Sequence, residues 1–239
     1  MRIDLWTWLL EVSRREEAVL EALLSADERR RAASFISVQH RRRFIIGRGR
    51  LRQILSLYVA LPPEALRFRY GAHGKPTLSP SRSRPHFNLS HSAGMAALAI
   101  AACDVGIDIE EIRPVDSAVA ERFFSTGENA ALRALRGVDR RDAFYRCWTR
   151  KEAVVKAVGK GLSLRLASFD VSIARAAPFL LFLEGCKDAT SEWCIVDVAL
   201  PRGLVGAIAA RTMGRGVSVR RRRWRNPRAT AGICSTTTS

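Results

Sequence analysis

The sequence of 239 residues has few cysteines, little lysine and no long apolar run. No apolar stretch reaches the roughly 18 to 20 residues that a membrane-spanning helix needs, so we expect no membrane span. The first residues, MRIDLWTWLLEVSRREE, carry acids and lack a small-residue cleavage site, which predicts a first strand and turn and not a signal peptide. The five cysteines form no CxxC pair. This excludes an obvious zinc or disulfide framework and favours a reducing, cytoplasmic location.

Acidic residues are missing from two long segments. Residues 29–63 contain nine arginines and no acid, and residues 214–239 contain seven arginines and no acid, within a formal net charge of +17. The second segment has no periodicity and ends in small polar residues, which predicts an Arg-rich, disordered tail. The plainest interpretation is a solvated basic extension, and a nucleic-acid arm or membrane-surface anchor is the alternative.

What is present is typical of a globular protein, with 47% apolar and 26% charged residues. Helical patterns before residue 60 and between 116 and 160 are segregated from strand patterns, which favours an α+β fold. Capping-box spacing occurs at Ser25 with Glu28 and at Ser125 with Glu128. The segment 85–112 predicts a β-meander of three strands.

Lysine is rare in a chain that uses arginine as its default cation. Only five of the 40 basic residues are lysine, and three of them lie within residues 151–160. Because lysine provides a compact point charge and arginine a planar fork, this segment is a candidate for a site that needs such a point charge.

Two carboxylates lie two residues apart in VGIDIEEIRP, residues 105–114. On a strand, Asp108 and Glu110 share one face at ~7 Å along the chain, while Ile107 and Ile109 share the other. Oxygen ligands of this kind suit Mg²⁺. The alternative is the polar outer face of an edge strand.

A third carboxylate, Glu152, lies in a helical apolar stripe that includes Trp148 and Val155. A glutamate on an apolar face is costly unless it is paired or ligated. Lys156 follows at i+4, so a helical salt bridge is the simple interpretation. Because such an exposed pair contributes only ~0.3–0.5 kcal/mol, we favour a third metal ligand beside a lysine that contacts phosphate.

These motifs together resemble a known family. GIDIEEIRP, FFSTGE and FYRCWTRKEAVVKAVGKGL resemble the 4'-phosphopantetheinyl transferase superfamily, whose hallmark is (V/I)G(I/V)D followed by WxxKE-x3-K, and HGKP and FNLSHS narrow the resemblance to the Sfp-type class. The resemblance runs from about Arg41 to Ser168. It implies two similar α+β halves related by pseudo-twofold symmetry, with the site between them, in a monomer. We assign 1–104 to the N-terminal half, 105–213 to the C-terminal half and 214–239 to the tail.

The resemblance also implies a reaction. A holo-[acyl-carrier-protein] synthase type of transferase, dependent on Mg²⁺ or Mn²⁺, moves 4'-phosphopantetheine from coenzyme A to a serine of an apo acyl or peptidyl carrier protein. Adenosine 3',5'-bisphosphate is released. Sfp-type members tend towards secondary metabolite biosynthesis, by analogy alone.

Carried over by position, the resemblance assigns the site residues. The metal would be held by Asp108, Glu110 and Glu152. The catalytic residues would be Glu152, Lys156 and Asp108. Glu152 would help to deprotonate the serine, and Lys156 would contact the phosphate that is transferred. Coenzyme A would be bound by Arg43, Gly74, Lys75, Pro76, Ser90, His91, Lys156 and Lys160. Glu128 and Arg30 match further motif positions without a defined role. Taken alone, His91 would be an ordinary turn histidine.

Two rival functions use the same residues. Carboxylates with a lysine also suit a Mg²⁺-dependent nuclease, and the arginines suit a nucleic-acid-binding module with salt-sensitive affinity. Neither rival accounts for HGKP or SHS, so we do not expect nucleic acid or a membrane as a partner.

Overall fold

The computed structural model describes residues 1–79, 85–176, 178–183, 186 and 188–224. In chain order the elements are β1 (Arg2–Leu9), α1 (Arg14–Ala22), α2 (Ala26–Ala33), α3 (Val38–Val59), β2 (Arg67–Tyr70), β3 (Pro76–Ser79), β4 (His86–Ser92), β5 (Met95–Ala101), β6 (Val105–Glu111), α4 (Ser117–Phe123), α5 (Thr126–Arg133), α6 (Gly137–Val158), β7 (Asp170–Val171), β8 (Leu180–Phe182), α7 (Ala189–Glu192), β9 (Trp193–Asp197), β10 (Leu204–Arg211) and β11 (Ser218–Arg223). Short 3₁₀ turns lie at Pro63–Ala65, Gly161–Ser163 and Leu166–Ser168.

Two sheets form the centre of the molecule. One has the strand order β11-β1-β5-β4, and the other has the order β6-β10-β9. Apolar residues of both sheets pack into one shared core, in which Ile3 and Leu5 of β1 meet Ile107 and Ile109 of β6. The α+β prediction is therefore confirmed. No helix in the described ranges has the length and apolar character needed to cross a membrane.

In each half a short capped helix is followed in the chain by a long helix, α2 by α3 and α5 by α6. α3 and α6 both have 22 residues. Both predicted capping boxes form, Ser25 with Glu28 at the start of α2 and Ser125 with Glu128 at the start of α5. In each box the glutamate is buried and also pairs with a cation of the following long helix, Arg52 at 2.7 Å or Lys151 at 2.7 Å. The two halves thus repeat one local arrangement, although the letters show no repeat.

A glycine lets β6 lie directly against α6. A Cβ at Gly106 would lie 2.1 Å from the carbonyl oxygen of Ala153 and 2.4 Å from the amide nitrogen of Ala157. Only a residue without a side chain permits this approach. The glycine of the VGID motif therefore fixes the distance between the strand and the helix.

The expected β-meander is wrong in its third strand. β4 and β5 pair in antiparallel fashion, but β6 pairs with β10 in the other sheet. The three-residue connection 102–104, where a tight turn at Cys103 and Asp104 is expected, therefore carries the chain from one sheet to the other and does not form a hairpin. Alternating apolar residues predict the strands but not their neighbours.

The predicted disorder of the tail is also wrong for part of its length. Ser218–Arg223 form β11, which pairs in parallel with β1. Arg220 makes a bidentate contact with the buried carboxylate of Asp4 at 2.7 Å, and the Arg222 guanidinium lies 5.3 Å from the Trp6 ring centre. Polar and cation–π contacts with β1 thus order a strand whose sequence has almost no apolar residue. Residues 225–239 of the tail lie outside the described residues.

Candidate active site

Asp108 and Glu110 lie on the face of β6 that turns towards α6, as the strand periodicity predicts. Asp108 is 3% exposed, and its Oδ1 accepts hydrogen bonds from Lys156 Nζ at 2.6 Å and Ser90 Oγ at 3.0 Å. Its second oxygen, Oδ2, is buried and has no hydrogen-bond partner among the residues that the structure describes. A buried carboxylate oxygen without a donor is expensive, so this atom is poised for an additional cation or donor.

The helix α6 brings Glu152 and Lys156 to the same place. Trp148 anchors this helix, because it stacks on Phe144 at 5.9 Å and meets Phe123 edge-on at 5.7 Å between ring centres. Lys156 pairs with Asp108, and within the described residues Glu152 forms no ion pair with it. The simple i+4 salt bridge is therefore wrong, and the half-buried Glu152 carboxylate is left for another partner.

The three carboxylates lie close enough to influence one another. Burial raises the pKa of Asp108, and burial together with the charge of Asp108 raises the pKa of Glu110. Burial is also the main cause of the raised pKa of Glu152, which Asp108 and Glu110 raise further and Lys156 lowers. One lysine thus faces three acids, and the cluster lacks positive charge.

Carboxylate oxygens, one of them buried without a donor, match the ligands that Mg²⁺ prefers. Across the described ranges, however, no three His, Cys, Asp or Glu side chains already stand in an arrangement that could hold a metal ion. The donor chemistry fits a divalent cation. That a divalent cation binds here is therefore a proposal.

The N-terminal half contributes a histidine and an arginine beside this cluster. His91 is exposed on β4, next to Ser90. Partial desolvation, followed by the positive charges of Lys156 and Arg43, lowers the pKa of His91. Arg43 is half-buried; one of its terminal nitrogens lies 3.9 Å from the Glu11 carboxylate, and its Nε has no hydrogen-bond partner in the described part of the chain. His91 thus lies within electrostatic reach of Asp108, Lys156 and Arg43, and the assignment of His91 and Arg43 to coenzyme A stays a prediction.

A cavity of about 510 Å³ opens beside Arg43. Its lining is formed by Leu10, Glu11, Val12, Arg14, Val38, Gln39, Arg42 and Arg43. Three apolar side chains, three arginines and one glutamate are among these residues, so the lining combines apolar surface with net positive charge, which suits an anionic ligand with an apolar part.

The lysine of the HGKP segment, which the resemblance assigns to coenzyme A, forms hydrogen bonds to the protein backbone. Gly74 adopts a positive φ of 77°, and Pro76 begins β3. The ammonium group of Lys75 donates to the carbonyl oxygens of Val105 at 3.2 Å and Ala157 at 2.9 Å. Lys75 therefore joins a loop of the N-terminal half to the end of α6. Its assignment to coenzyme A stays a prediction.

Three further predicted residues form no hydrogen bond or ion pair with the carboxylate cluster in the described ranges. Glu128 is buried and accepts hydrogen bonds from Lys151 Nζ at 2.7 Å and the amide of Val171 at 2.9 Å, which gives it a role in the fold. Lys160 is exposed after the end of α6, and Arg30 is exposed on α2.

The sequence analysis missed a second cavity, of about 320 Å³, which Glu152 shares with Phe123, Val155 and Leu164. It lies against α4 and the 3₁₀ turns after α6. The contacts that would have revealed it are between segments far apart in the chain.

Comparison with known proteins gives matches along most of the chain. A family model described as the 4'-phosphopantetheinyl transferase superfamily matches residues 104–209, and one described as 4'-phosphopantetheinyl transferase, N-terminal, matches residues 10–103. The chain is 34% identical over 217 residues to 4'-phosphopantetheinyl transferase HetI of Nostoc sp., which covers 89% of each protein. It is 38% identical to psf-1 of Bacillus pumilus, covering 68% of this chain and 69% of that protein, and 33% identical to Sfp of Bacillus subtilis, covering 68% and 72%.

Proposed function

The chain belongs to the 4'-phosphopantetheinyl transferase superfamily, and from this premise we propose how its residues carry out the transfer. The enzyme moves 4'-phosphopantetheine from coenzyme A to a carrier protein. The observation that carries the mechanism is the ion pair of Lys156 with Asp108, beside a buried oxygen without a donor and two further acids. The rival nuclease and nucleic-acid functions gain no support from the matches.

A divalent cation would complete the cluster. Asp108, Glu110 and Glu152 are the residues that would hold Mg²⁺, or Mn²⁺ in its place. When bound, such an ion neutralises charge on the pyrophosphate and stabilises the charge that develops during transfer. The unpartnered Asp108 Oδ2 and the raised pKa values of all three acids support this assignment.

The residues of the chain divide the remaining tasks. Lys156 places a point charge beside Asp108, where it would contact the phosphate that is transferred. Glu152 would accept the proton of the incoming serine, because its carboxylate forms no ion pair within the described residues and is left free to do so. The serine oxygen forms a bond to the phosphorus that carries pantetheine, the pyrophosphate P–O bond breaks, and adenosine 3',5'-bisphosphate leaves.

The nucleotide end of coenzyme A would occupy the N-terminal half. Arg43 and the imidazole of His91 would contact its phosphate groups, and apolar side chains and arginines line the cavity beside Arg43. The positive net charge would attract acidic carrier proteins and raise the rate of association. An acyl-carrier preference of the holo-[acyl-carrier-protein] synthase type, a monomeric state and a cytoplasmic location belong to this proposal.

The test is the intact mass of several apo carrier proteins after incubation with this protein, coenzyme A and Mg²⁺. We expect a mass gain of one phosphopantetheine, lost on chelation of the metal. Glu152→Gln should lower the rate by about 100-fold or more, since a general base contributes at least this much. Glu111→Gln, at an exposed acid of the same strand as Asp108, is the matched control and should keep the rate. A folded protein that labels no carrier would contradict the proposal.

A further inference from the structure

Strand β6 is the edge strand of its sheet, and its outer edge faces β4 of the other sheet. No backbone ladder joins β4 to β6. Three side chains of β4 accept hydrogen bonds from the backbone amides of β6 instead. These bonds run from the Ile107 amide to Asn88 Oδ1 at 2.9 Å, from the Ile109 amide to Ser90 Oγ at 3.3 Å, and from the Glu111 amide to Ser92 Oγ at 3.1 Å. We call Asn88, Ser90 and Ser92 the β4 polar row.

The two serines of this row do more than the asparagine. While each hydroxyl oxygen accepts from an amide of β6, its hydrogen is donated to the carboxylate one residue earlier on β6. Ser90 Oγ donates to Asp108 Oδ1 at 3.0 Å, and Ser92 Oγ donates to Glu110 Oε2 at 3.2 Å. The two-residue repeat of one strand thus matches the two-residue repeat of the other.

The geometry points to Ser90 and Ser92 as positioning residues that aim Asp108 and Glu110, and this inference rests on the proposed function. Ser90 is 6% exposed, and its oxygen also accepts a hydrogen bond from Lys156 Nζ at 3.2 Å. With contacts to an amide, a carboxylate and an ammonium group, this hydroxyl has little capacity left for a nucleotide. Ser90 therefore acts through Asp108 and Lys156, in contrast to the direct coenzyme A contact that the sequence suggests.

The hydroxyls fix which carboxylate oxygen remains free. Since Ser90 and Lys156 both engage Oδ1 of Asp108, Oδ2 is the atom without a donor. A hydrogen bond of this kind sets the orientation of a metal ligand and strengthens its hold on the metal, and its loss typically costs about 10–100-fold in metal affinity or activity. The β4 polar row therefore joins the two halves and also fixes the orientation of the Asp108 and Glu110 carboxylates.

The experiment measures binding of Mn²⁺ to the full chain in the presence of coenzyme A, from the electron paramagnetic resonance signal of free Mn²⁺. Ser90→Ala and Ser92→Ala should each weaken Mn²⁺ binding by about tenfold or more. Asn88→Ala is the matched control, because Asn88 makes the same type of amide contact but touches no carboxylate. It should bind Mn²⁺ like the unsubstituted protein. Ser92→Thr keeps the hydroxyl and should restore binding.

The outcomes separate a positioning role from the alternatives. Weakening of Mn²⁺ binding in both serine variants, with the Kd for coenzyme A changed by no more than about twofold, supports the inference. A raised Kd for coenzyme A with unchanged Mn²⁺ binding would overturn it, and so would equal weakening of Mn²⁺ binding in Asn88→Ala. If Ser90→Ala does not fold, the Ser92→Ala and Ser92→Thr pair decides. Because the binding measurement needs neither carrier protein nor turnover, its failure can be distinguished from failure of the proposed transferase function.

Discussion

The ammonium group of Lys75 lies 2.9 Å from the carbonyl oxygen of Ala157, so a loop of the N-terminal half caps the last turn of α6. The last carbonyls of a helix lack partners within the helix, and a cation there also opposes the helix dipole. The helix in question carries Glu152 and Lys156. A residue that the sequence assigns to the substrate thus also holds the two halves together.

Replacing Lys75 should therefore cost stability. We expect Lys75→Met to lower the free energy of unfolding by about 1–2 kcal/mol, because two carbonyl oxygens lose their charged donor. Urea denaturation measures the loss. Lys160→Met is the control at an exposed lysine and should change little. Unchanged stability in Lys75→Met, with only the KM for coenzyme A raised, would show that the capping contact contributes nothing.

Gly106 should not tolerate even one methyl group. In Gly106→Ala the new Cβ would meet the backbone of α6, which cannot move as a flexible side chain can. We expect a loss of about 3 kcal/mol, at the upper end of overpacking, visible as a lowered Tm. Gly216→Ala, where no atom lies within 4 Å of the added carbon, is the control and should leave the Tm unchanged. A normal Tm for Gly106→Ala would refute the close packing.

Activity should fall on the acid side at a higher pH than ordinary carboxyl groups would give. Burial raises the pKa of Asp108, Glu110 and Glu152, so each group takes up its proton at a higher pH as the solution is acidified. A protonated carboxyl neither ligates a cation nor accepts the serine proton. Because Mg²⁺ favours the ionised forms, more Mg²⁺ should move the acid limb of kcat/KM to lower pH. A limb near pH ~4 that ignores Mg²⁺ would contradict this.

Truncation should separate the two parts of the Arg-rich tail. Removing 225–239 should leave the Tm unchanged, because β11 and Trp224 remain. Removing 214–239 should lower the Tm by several degrees, because Asp4 is buried and would lose the guanidinium of Arg220. Thermal unfolding of the two truncated proteins checks the difference. Equal Tm values would show that β11 adds nothing to the fold.

Features encoded over a few residues could be predicted from the sequence. The capping boxes at Ser25 and Ser125 and the end of α6 at Gly159 follow from local chemistry, since each depends on neighbours within one turn. The shared face of Asp108 and Glu110 follows from strand periodicity in the same way.

Features that depend on distant neighbours could not be predicted. Spacing within α6 predicts Glu152 as the partner of Lys156, yet the actual partner is Asp108, on a strand 48 residues earlier. The transfer of β6 to the second sheet depends on pairing with β10, which lies a hundred residues further along the chain. The family resemblance assigned Asp108 and Lys156 to one site, but it did not predict that the hydroxyl groups of Ser90 and Ser92 orient the carboxylates of that site.

The parallel pairing of β1 with β11 has a consequence for how the protein is made. One edge of β1 pairs with β5, but the other edge pairs with residues 218–223, which the ribosome supplies more than 200 residues later. During synthesis that edge, with its unpaired amides and carbonyls, stays open to neighbouring nascent chains. Closing it must wait until residues 218–223 have been synthesised, so β1 gains its second neighbour long after β5 becomes available as its first.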